Sequence, residues 1–342
     1  HSGHKITMKP GELLEKDSTL NQRASGGPYL WNYTLSGKGV EEWQPQFTYY
    51  GFRYVEVSDI EKLELIELAG MHTTNSAPEA GSFSCSLPMF NKIYELIDWS
   101  IRSNLASILT DCPHREKLGW LEVAHLMQHA MQYRYQLDGL YSKVMGDIKD
   151  SQTQEGIVPS IAPEYVRFAD GFENSPEWGS AFIIIPWYVY RWYGDKSLLS
   201  TYYPYMKRYL EYLSTRADNY IVAYGLGDWF DLGPKHPGYS QLTSNGVTST
   251  GMYYYNASIM SQIAKLLGEE KDEERFKQLA TCIRKAYNEK FYNTVTKQYD
   301  RNSQTANAIS LYFGLVEEQN REVVYQNLIN DIKNRDYALT SG

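Results

Sequence analysis

Residues 111–122 read Asp-Cys-Pro-His-Arg-Glu-Lys-Leu-Gly-Trp-Leu-Glu, a dense group of chemically active side chains. The segment holds three carboxylates (Asp111, Glu116 and Glu122), a guanidinium, an imidazole and an indole. Pro113 disfavours helix in the residues before it, and the end of the segment begins a run with helical spacing. We therefore predict a loop that leads into a helix, with Asp111 suited to the N-cap position. Such a loop can both hold and protonate a polar ligand.

The chain changes character near residue 80. Residues 1–80 are predicted to be the end of a β-sandwich domain, because they contain alternating runs rich in aromatic and β-branched residues; the predicted strands are 29–35, 46–57 and 64–71. Residues 81–342 repeat apolar side chains at helical spacing, with predicted helices at 87–107, 118–136, 139–151, 177–193, 196–216, 251–268, 270–290, 305–314 and 317–334. Paired helices with long connecting loops favour a toroid of stacked helical hairpins.

Composition excludes several classes of function. The net charge of -8 argues against nucleic acid as a partner, because phosphate binding needs a basic surface. No apolar run is long enough for a membrane span. The three cysteines form neither a disulfide framework nor a metal spacing, and His125 and His129 lack the pattern of a zinc protease. We expect no cofactor and no metal. Aromatic residues make up 14% of the chain, which fits either a large core or a sugar site.

Two further segments resemble the first in composition. Residues 174–180 place Glu177 and Trp178 at the start of a helix, and residues 225–234 combine Asp228, Trp229 and Asp231 with glycines. Each residue alone has a structural explanation, since an Asp before a helix is usually a cap and a Trp beside Gly usually packs in a core. Three rim loops (111–122, 155–178 and 225–246) that each pair Trp with a carboxylate nevertheless favour a site for a neutral polar ligand.

The run from Asp111 to Trp120 closely resembles the signature of bacterial α-L-rhamnosidases of glycoside hydrolase family 78. Residues 175–181 (Ser-Pro-Glu-Trp-Gly-Ser-Ala), 227–229 (Gly-Asp-Trp) and 47–56 are similar too, so the resemblance covers nearly the whole chain. It implies a mainly α fold, an (α/α)6 toroid preceded by β-sandwich strands. It also implies release of terminal α-L-rhamnose with inversion of configuration, and by family habit a periplasmic or secreted location. The helical pairs are fewer than six hairpins need, so we expect a barrel that is truncated at its C-terminus.

The resemblance also assigns roles. It implies that Glu116 is the general acid, and that the general base falls beyond Gly342. It implies substrate contacts for Asp111, Arg115, Trp120, Glu122, Glu177, Trp178, Asp228 and Trp229. Two positions depart from the family pattern: one residue is missing between Arg115 and Trp120, and Val123 stands where the family often has Asp, so that Glu122 is the nearest replacement.

These roles carry expectations about the acid. Glu116 should be buried, so that it is protonated near neutral pH. Arg115 should then face the sugar or Asp111 instead, because a guanidinium beside Glu116 would oppose its protonation. The alternative function is a carbohydrate-binding protein on the same toroid that has lost the chemistry. A polysaccharide lyase fits less well, because no basic site for an acidic sugar is evident.

Overall fold

The structure is a computed structural model, which describes residues 2–61 and 63–340. The chain forms two compact units, which are His1–Gly119 with His129–Gln136, and Trp120–Gln128 with Leu137–Gly342. In the part of the chain that is described, no helix is both long and apolar enough to cross a membrane.

The described residues of the first unit contain two small antiparallel sheets. The strands β1 (Lys5–Gly11), β4 (Trp31–Thr34) and β5 (Tyr54–Ser58) form one of them, and β2 (Leu13–Leu14) pairs with β3 (Leu20–Asn21) in the other. Strand β1 lies between β4 and β5, with Met8 opposite both Trp31 and Val57. The strands predicted at 29–35 and 46–57 are therefore present in shortened form. The strand predicted at 64–71 is wrong, because this segment pairs with no other strand among the described residues, and Leu65, Ile66 and Leu68 are exposed.

Helices make up most of the rest. They are α1 (Pro88–Asn104), α2 (Leu121–Leu126), α3 (Gln128–Gln132), α4 (Asp138–Ser151), α5 (Pro176–Gly179), α6 (Ala181–Tyr193), α7 (Ser197–Arg216), α8 (Asn245–Leu267), α9 (Glu270–Phe291), α10 (Gln304–Tyr312) and α11 (Arg321–Asn334). A two-residue hairpin, β6 (Tyr292–Asn293) with β7 (Gln298–Tyr299), separates α9 from α10. Consecutive helices pack as pairs, most extensively α8 with α9 and α10 with α11.

Three helix predictions differ from the structure. The single helix predicted at 118–136 is wrong, because Leu121 N donates to Ser160 O and the helical residues that follow divide into α2 and α3. The helix predicted at 177–193 divides into α5 and α6. Helix α8 begins six residues before the predicted start. The prediction missed these residues because the first turns of the helix consist largely of small residues, which are also common in loops. They are buried: a Cβ on Gly246 would lie 2.8 Å from Phe291.

The pair α8–α9 forms the core that supports the site. Gly268 ends α8 in the left-handed conformation (φ 78°), which lets the chain reverse into α9. Met260 and Ile263 of α8 are fully buried, as are Ile283 and Tyr287 of α9. The hydroxyl of Tyr287 lies 2.8 Å from Ser310 Oγ in α10, so the polar atom inside this core has a partner.

We expect Ile283→Ala to lower the free energy of unfolding by about 2–5 kcal/mol, because it leaves a cavity in a site that is 0% exposed. Lys277→Ala on the exposed face of the same helix is the control and should change stability by less than about 0.5 kcal/mol. Urea denaturation measures both. Equal effects of the two changes would contradict this packing of α9.

Candidate active site

Asp111 closes the loop formed by residues 111–118. Its Oδ1 accepts a hydrogen bond from Leu118 N at 3.0 Å, and its own N–H donates to Leu118 O at 3.3 Å. The prediction that Asp111 acts as an N-cap is therefore wrong, because α2 begins at Leu121 and Trp120 occupies the cap position. The carboxylate instead fixes the two ends of the loop that carries Arg115 and Glu116.

Arg115 and Glu116 are exposed on this loop and lie beside each other. Arg115 Nη2 is 3.6 Å from Glu116 Oε1, and 38% of the Glu116 side chain is accessible. The expectation that Arg115 points away from Glu116 is wrong, and so is the expectation that Glu116 is buried. The physical reason is local: one oxygen of the Asp111 carboxylate is occupied by Leu118 N, and both charged side chains extend into solvent. The roles of Glu116, Arg115 and Asp111 toward substrate stay predictions.

In the second unit, hydrogen bonds join three segments that are distant in sequence. Trp120 pairs with Ile161 as an antiparallel bridge, and Ser160 Oγ accepts from Ser175 N at 3.1 Å. The Ser175 hydroxyl in turn donates to Glu177 Oε2 at 2.5 Å and accepts from Leu226 N at 2.9 Å. Residues from all three predicted rim loops therefore meet within this unit.

Gly225 makes this meeting possible. Its φ of 103° lies in the region that favours glycine, and a Cβ there would lie 2.6 Å from Ser175 Oγ and 3.0 Å from Glu177 Oε2. The glycine noted in the sequence thus allows the backbone to approach a buried carboxylate.

An aromatic cluster lies in the same unit and consists of Trp120, Phe168, Phe172, Trp229 and Tyr239. Trp120 stacks on Phe168 at a centroid distance of 5.1 Å and lies 6.1 Å from Phe172. Phe172 meets Trp229 edge-on at 4.9 Å, and Tyr239 lies 5.7 Å from Trp229. The sequence named the two tryptophans but missed the other three rings. Their only signal was the aromatic character of the loops at 155–178 and 225–246.

Two buried carboxylates are held by hydroxyl groups. Glu177 is 7% exposed, and Ser249 Oγ lies 3.1 Å from its Oε1 in addition to the bond from Ser175. Asp228 is 9% exposed, and Thr305 Oγ1 donates to its Oδ2 at 2.5 Å. Hydrogen bonds of this kind compensate for the loss of water around each charge. The sequence did not reveal Ser249 and Thr305 as partners, because they lie 72 and 77 residues away from the acids that they contact.

Glu122 is the third carboxyl group of this cluster. Burial, and then the charges of Glu177 and Asp228, raise the pKa of Glu122 to about 7. Burial also raises the pKa of Glu177, but hydrogen bonds from Ser175, Thr248 and Ser249 oppose that effect. The carboxyl group of Glu122 therefore changes its charge near neutral pH, beside two acids that accept hydrogen bonds. We call Glu122, Glu177 and Asp228 the acid cluster.

The contacts of three other side chains that the sequence singled out are structural. Trp178 is 3% exposed and lies in the core, so its predicted contact with substrate stays a prediction. Asp231 Oδ2 accepts from Gln241 N and Leu242 N, which shapes the loop after Trp229. His125 Nε2 lies 2.9 Å from Glu177 O, and burial lowers the pKa of this ring to about 4, so the neutral ring donates to that carbonyl. Over residues 2–61 and 63–340, no three His, Cys, Asp or Glu side chains are grouped to hold a metal ion.

Helical hairpins that carry buried acids and a cluster of aromatic rings are typical of a class of carbohydrate-active protein, since sugars present hydroxyl groups and apolar C–H faces. Comparison with known proteins supports this class. Residues 78–342 match the bacterial alpha-L-rhamnosidase 6 hairpin glycosidase domain, and residues 1–73 match the bacterial alpha-L-rhamnosidase concanavalin-like domain. The chain belongs to the bacterial α-L-rhamnosidase six-hairpin family. This confirms the family resemblance and the mainly α fold of hairpins preceded by strands.

Individual relatives agree. An alpha-L-rhamnosidase of Formosa agariphila is 32% identical over 96% of this chain and 37% of its own length. The alpha-L-rhamnosidase structure from Dictyoglumus thermophilum has a TM-score of 0.89 and 36% identity, covering 100% of this chain and 39% of the other. The Streptomyces avermitilis alpha-L-rhamnosidase, solved in complex with L-rhamnose, has a TM-score of 0.88 and 29% identity over 100% of this chain and 32% of its own. The chain thus spans between 32% and 39% of the length of these relatives.

The raised pKa of Glu122 predicts a pH effect on stability that does not require activity. Between its ordinary pKa near 4.5 and its folded pKa of about 7, the folded state holds a proton that the unfolded state has lost. The contribution of Glu122 to the free energy of unfolding is therefore fully present below pH 4.5 and is lost as the pH rises through 7. Glu122→Gln should remove this loss, so the free energy of unfolding of the variant should rise relative to that of the parent by about 3 kcal/mol between pH 4.5 and pH 8.

Thermal unfolding at a series of pH values measures this difference. The exposed Glu270→Gln on α9 is the matched control and should give the same difference from the parent at every pH. A Glu122→Gln difference that does not grow with pH would show that this carboxyl group is not protonated in the folded protein.

Proposed function

We propose that the protein hydrolyses terminal α-L-rhamnosyl bonds of oligosaccharides, plant polysaccharides or glycosides, with inversion of configuration. The observation that carries the proposal is the acid cluster beside the aromatic cluster, in a chain of the α-L-rhamnosidase family. A relative solved with L-rhamnose supports the choice of sugar. We also propose a periplasmic or secreted location, by the habit of the family.

The two clusters match the chemistry of a 6-deoxy sugar. Rhamnose has a methyl group and apolar C–H faces, which would pack on Trp120 and Trp229. Its hydroxyl groups would donate to Glu177 and Asp228, whose oxygens already accept hydrogen bonds from Ser175 and Thr305. Glu122, in its protonated form, would donate a hydrogen bond to a sugar oxygen. This arrangement holds a neutral polyol without bringing a further charge into the site.

Inverting hydrolysis needs an acid to protonate the leaving oxygen and a base to activate water on the opposite face of the ring. The resemblance assigns the acid to Glu116. Its position on a loop closed by Asp111 supports this role, because that hydrogen bond fixes the loop on which the carboxyl group stands. Arg115 and Asp111 would hold sugar hydroxyl groups beside it. Trp178 and the indole of Trp229 complete the predicted contacts.

A carbohydrate-binding protein without hydrolysis is the second candidate. The exposure of Glu116 and its contact with Arg115 favour it, because a site open to solvent does not shield the proposed acid from water. The two candidates differ in one measurement: a binding protein retains affinity for rhamnosides but releases no free sugar.

The test uses the natural full-length protein with two α-L-rhamnosides, one with an alkyl leaving group and one with a nitrophenyl leaving group. Glu116→Gln should lower kcat on the alkyl rhamnoside by about 100-fold or more, because the leaving oxygen then lacks its proton donor. The loss should be much smaller on the nitrophenyl rhamnoside, whose leaving group departs without protonation. Rhamnose release measures both.

Glu95→Gln is the matched control, because Glu95 is an exposed glutamate that pairs with Lys92 at 3.0 Å as Glu116 pairs with Arg115. Equal losses on both substrates would contradict Glu116 as the acid. If the parent protein binds rhamnosides and hydrolyses none, the binding function replaces the proposed one.

The proposed contact of Glu122 gives a separate result. Glu122→Gln resembles the protonated acid, so it should keep affinity for rhamnosides at pH 6 and lose the decline in affinity above about pH 7 that we expect of the parent. Glu122→Ala should weaken binding at both pH values. Calorimetric titration with L-rhamnose measures affinity, and a parent affinity that is constant from pH 6 to pH 8 would contradict this contact.

A further inference from the structure

We propose that Lys117 is a positioning residue, which holds the loop of residues 111–118 against a group of tyrosines in the first unit and so orients Arg115 and Glu116. The inference rests on the proposed function for its effect on catalysis. Its structural part stands on contacts within one unit.

The ammonium group of Lys117 lies in a cage of three rings, which we call the tyrosine cage: Tyr29, Tyr49 and Tyr50. Nζ is 3.9 Å from the ring centroid of Tyr50, and 5.3 Å and 5.4 Å from those of Tyr49 and Tyr29. Nζ also donates to Tyr49 O at 2.9 Å. A cation over several ring faces is attracted by each ring, and partial burial strengthens that attraction. The end of the Lys117 side chain is therefore held by three rings and one carbonyl oxygen.

The backbone of Lys117 is strained. Its φ is 55°, in the left-handed region that side chains other than glycine, asparagine and aspartate rarely adopt. Such a conformation persists only where the surroundings impose it, and it is common at functional sites. The next residue, Leu118, donates to Asp111 Oδ1, so the turn is fixed immediately after Lys117. With Lys117 directed into the cage, the preceding Glu116 is left exposed on the loop surface.

The tyrosine cage is part of a larger contact between the loop of residues 111–118 and the strand-rich segment that contains Tyr29 and Gly51. Gly51 N donates to Pro113 O at 2.8 Å, and Tyr29 OH donates to Arg115 O at 3.4 Å. A Cβ on Gly51 would lie 2.8 Å from Pro113 Cγ, so a larger residue there would push the loop away. Tyr50 is itself supported, since its ring lies 4.6 Å from Tyr29 and 5.4 Å from Trp31 of β4. The strand-rich segment therefore contributes to the placement of the proposed acid.

A merely stabilising role for Lys117 makes different predictions from a positioning role. Loss of a stabilising contact lowers the melting temperature and leaves kcat of the folded enzyme unchanged. Loss of a positioning contact lowers kcat with little change in KM, because the acid is misplaced while the residues proposed to bind the sugar are unchanged. It also loosens the loop itself, which amide hydrogen exchange measures without any assay of activity.

The experiment compares four variants of the natural full-length protein. Lys117→Met removes the charge and keeps the stem, and Lys117→Arg keeps a cation. Tyr50→Leu removes a ring, and Tyr50→Phe keeps it. The matched control is Lys149→Met, since Lys149 pairs with Asp150 and lies 5.9 Å from the Tyr205 ring in the other unit.

We expect Lys117→Met and Tyr50→Leu to lower kcat on the alkyl rhamnoside by about 10- to 100-fold, with KM within about threefold of the parent. Lys117→Arg and Tyr50→Phe should restore most of the rate, because each keeps the cation and the ring. The amides of Leu118 and Gly51 should exchange at least about tenfold faster in Lys117→Met and at the parent rate in Lys149→Met.

Unchanged exchange of the loop amides in Lys117→Met would overturn the proposal, and so would faster exchange with an unchanged kcat in an active enzyme. If Lys117→Met lowers the melting temperature, and kcat equals that of the parent at assay temperatures well below it, Lys117 has a stabilising role only. If the parent hydrolyses no rhamnoside but the loop amides still exchange faster in Lys117→Met, the contact stands and the proposed function fails.

Discussion

The hydroxyl group of Ser175 is the contact on which the site of the second unit depends. It donates to the buried carboxylate of Glu177 and accepts the backbone N–H of Leu226, and its own N–H is bound to Ser160. One small side chain thus joins three segments of backbone and at the same time satisfies an acid. Because the segments meet at a buried polar group, misalignment of any of them would leave a donor or an acceptor unpaired, which is costly in a dry site. Gly225 is required by this same contact.

The two units position their acids by opposite means. In the first, the Asp111 carboxylate closes a loop, and Glu116 is partly exposed beside Arg115. In the second, burial is deep, and hydroxyl groups of Ser249 and Thr305 contact Glu177 and Asp228. Hydroxyl groups hold a carboxylate without neutralising it, so the negative potential of the acid cluster remains. That potential, together with burial, is what raises the pKa of Glu122.

Much of this arrangement could be predicted from sequence because its signals are local. Trp120, Glu177 and Asp228 each lie beside a glycine, a proline or a second aromatic residue, and the helices show their period directly. The hydrogen-bond partners of these acids could not be predicted from the sequence. Thr305, for example, donates to Asp228 only when α10 packs against the loop that carries Asp228. The N-cap assigned to Asp111 was wrong for the same reason. Its local pattern fits a cap, but the N–H that it accepts comes from a closed loop rather than a helix.

The acid cluster also restricts what can bind. Burial, and then repulsion from Glu177 and Asp228, disfavour a negative charge on Glu122, so the pKa of this carboxyl group is raised to about 7. A sugar that carries its own carboxylate would meet the same repulsion from these two acids. The neighbouring rings of Trp120, Phe172 and Trp229 offer apolar faces and no charge. The proposed ligand, a neutral deoxy sugar with an apolar edge, would satisfy both surfaces together.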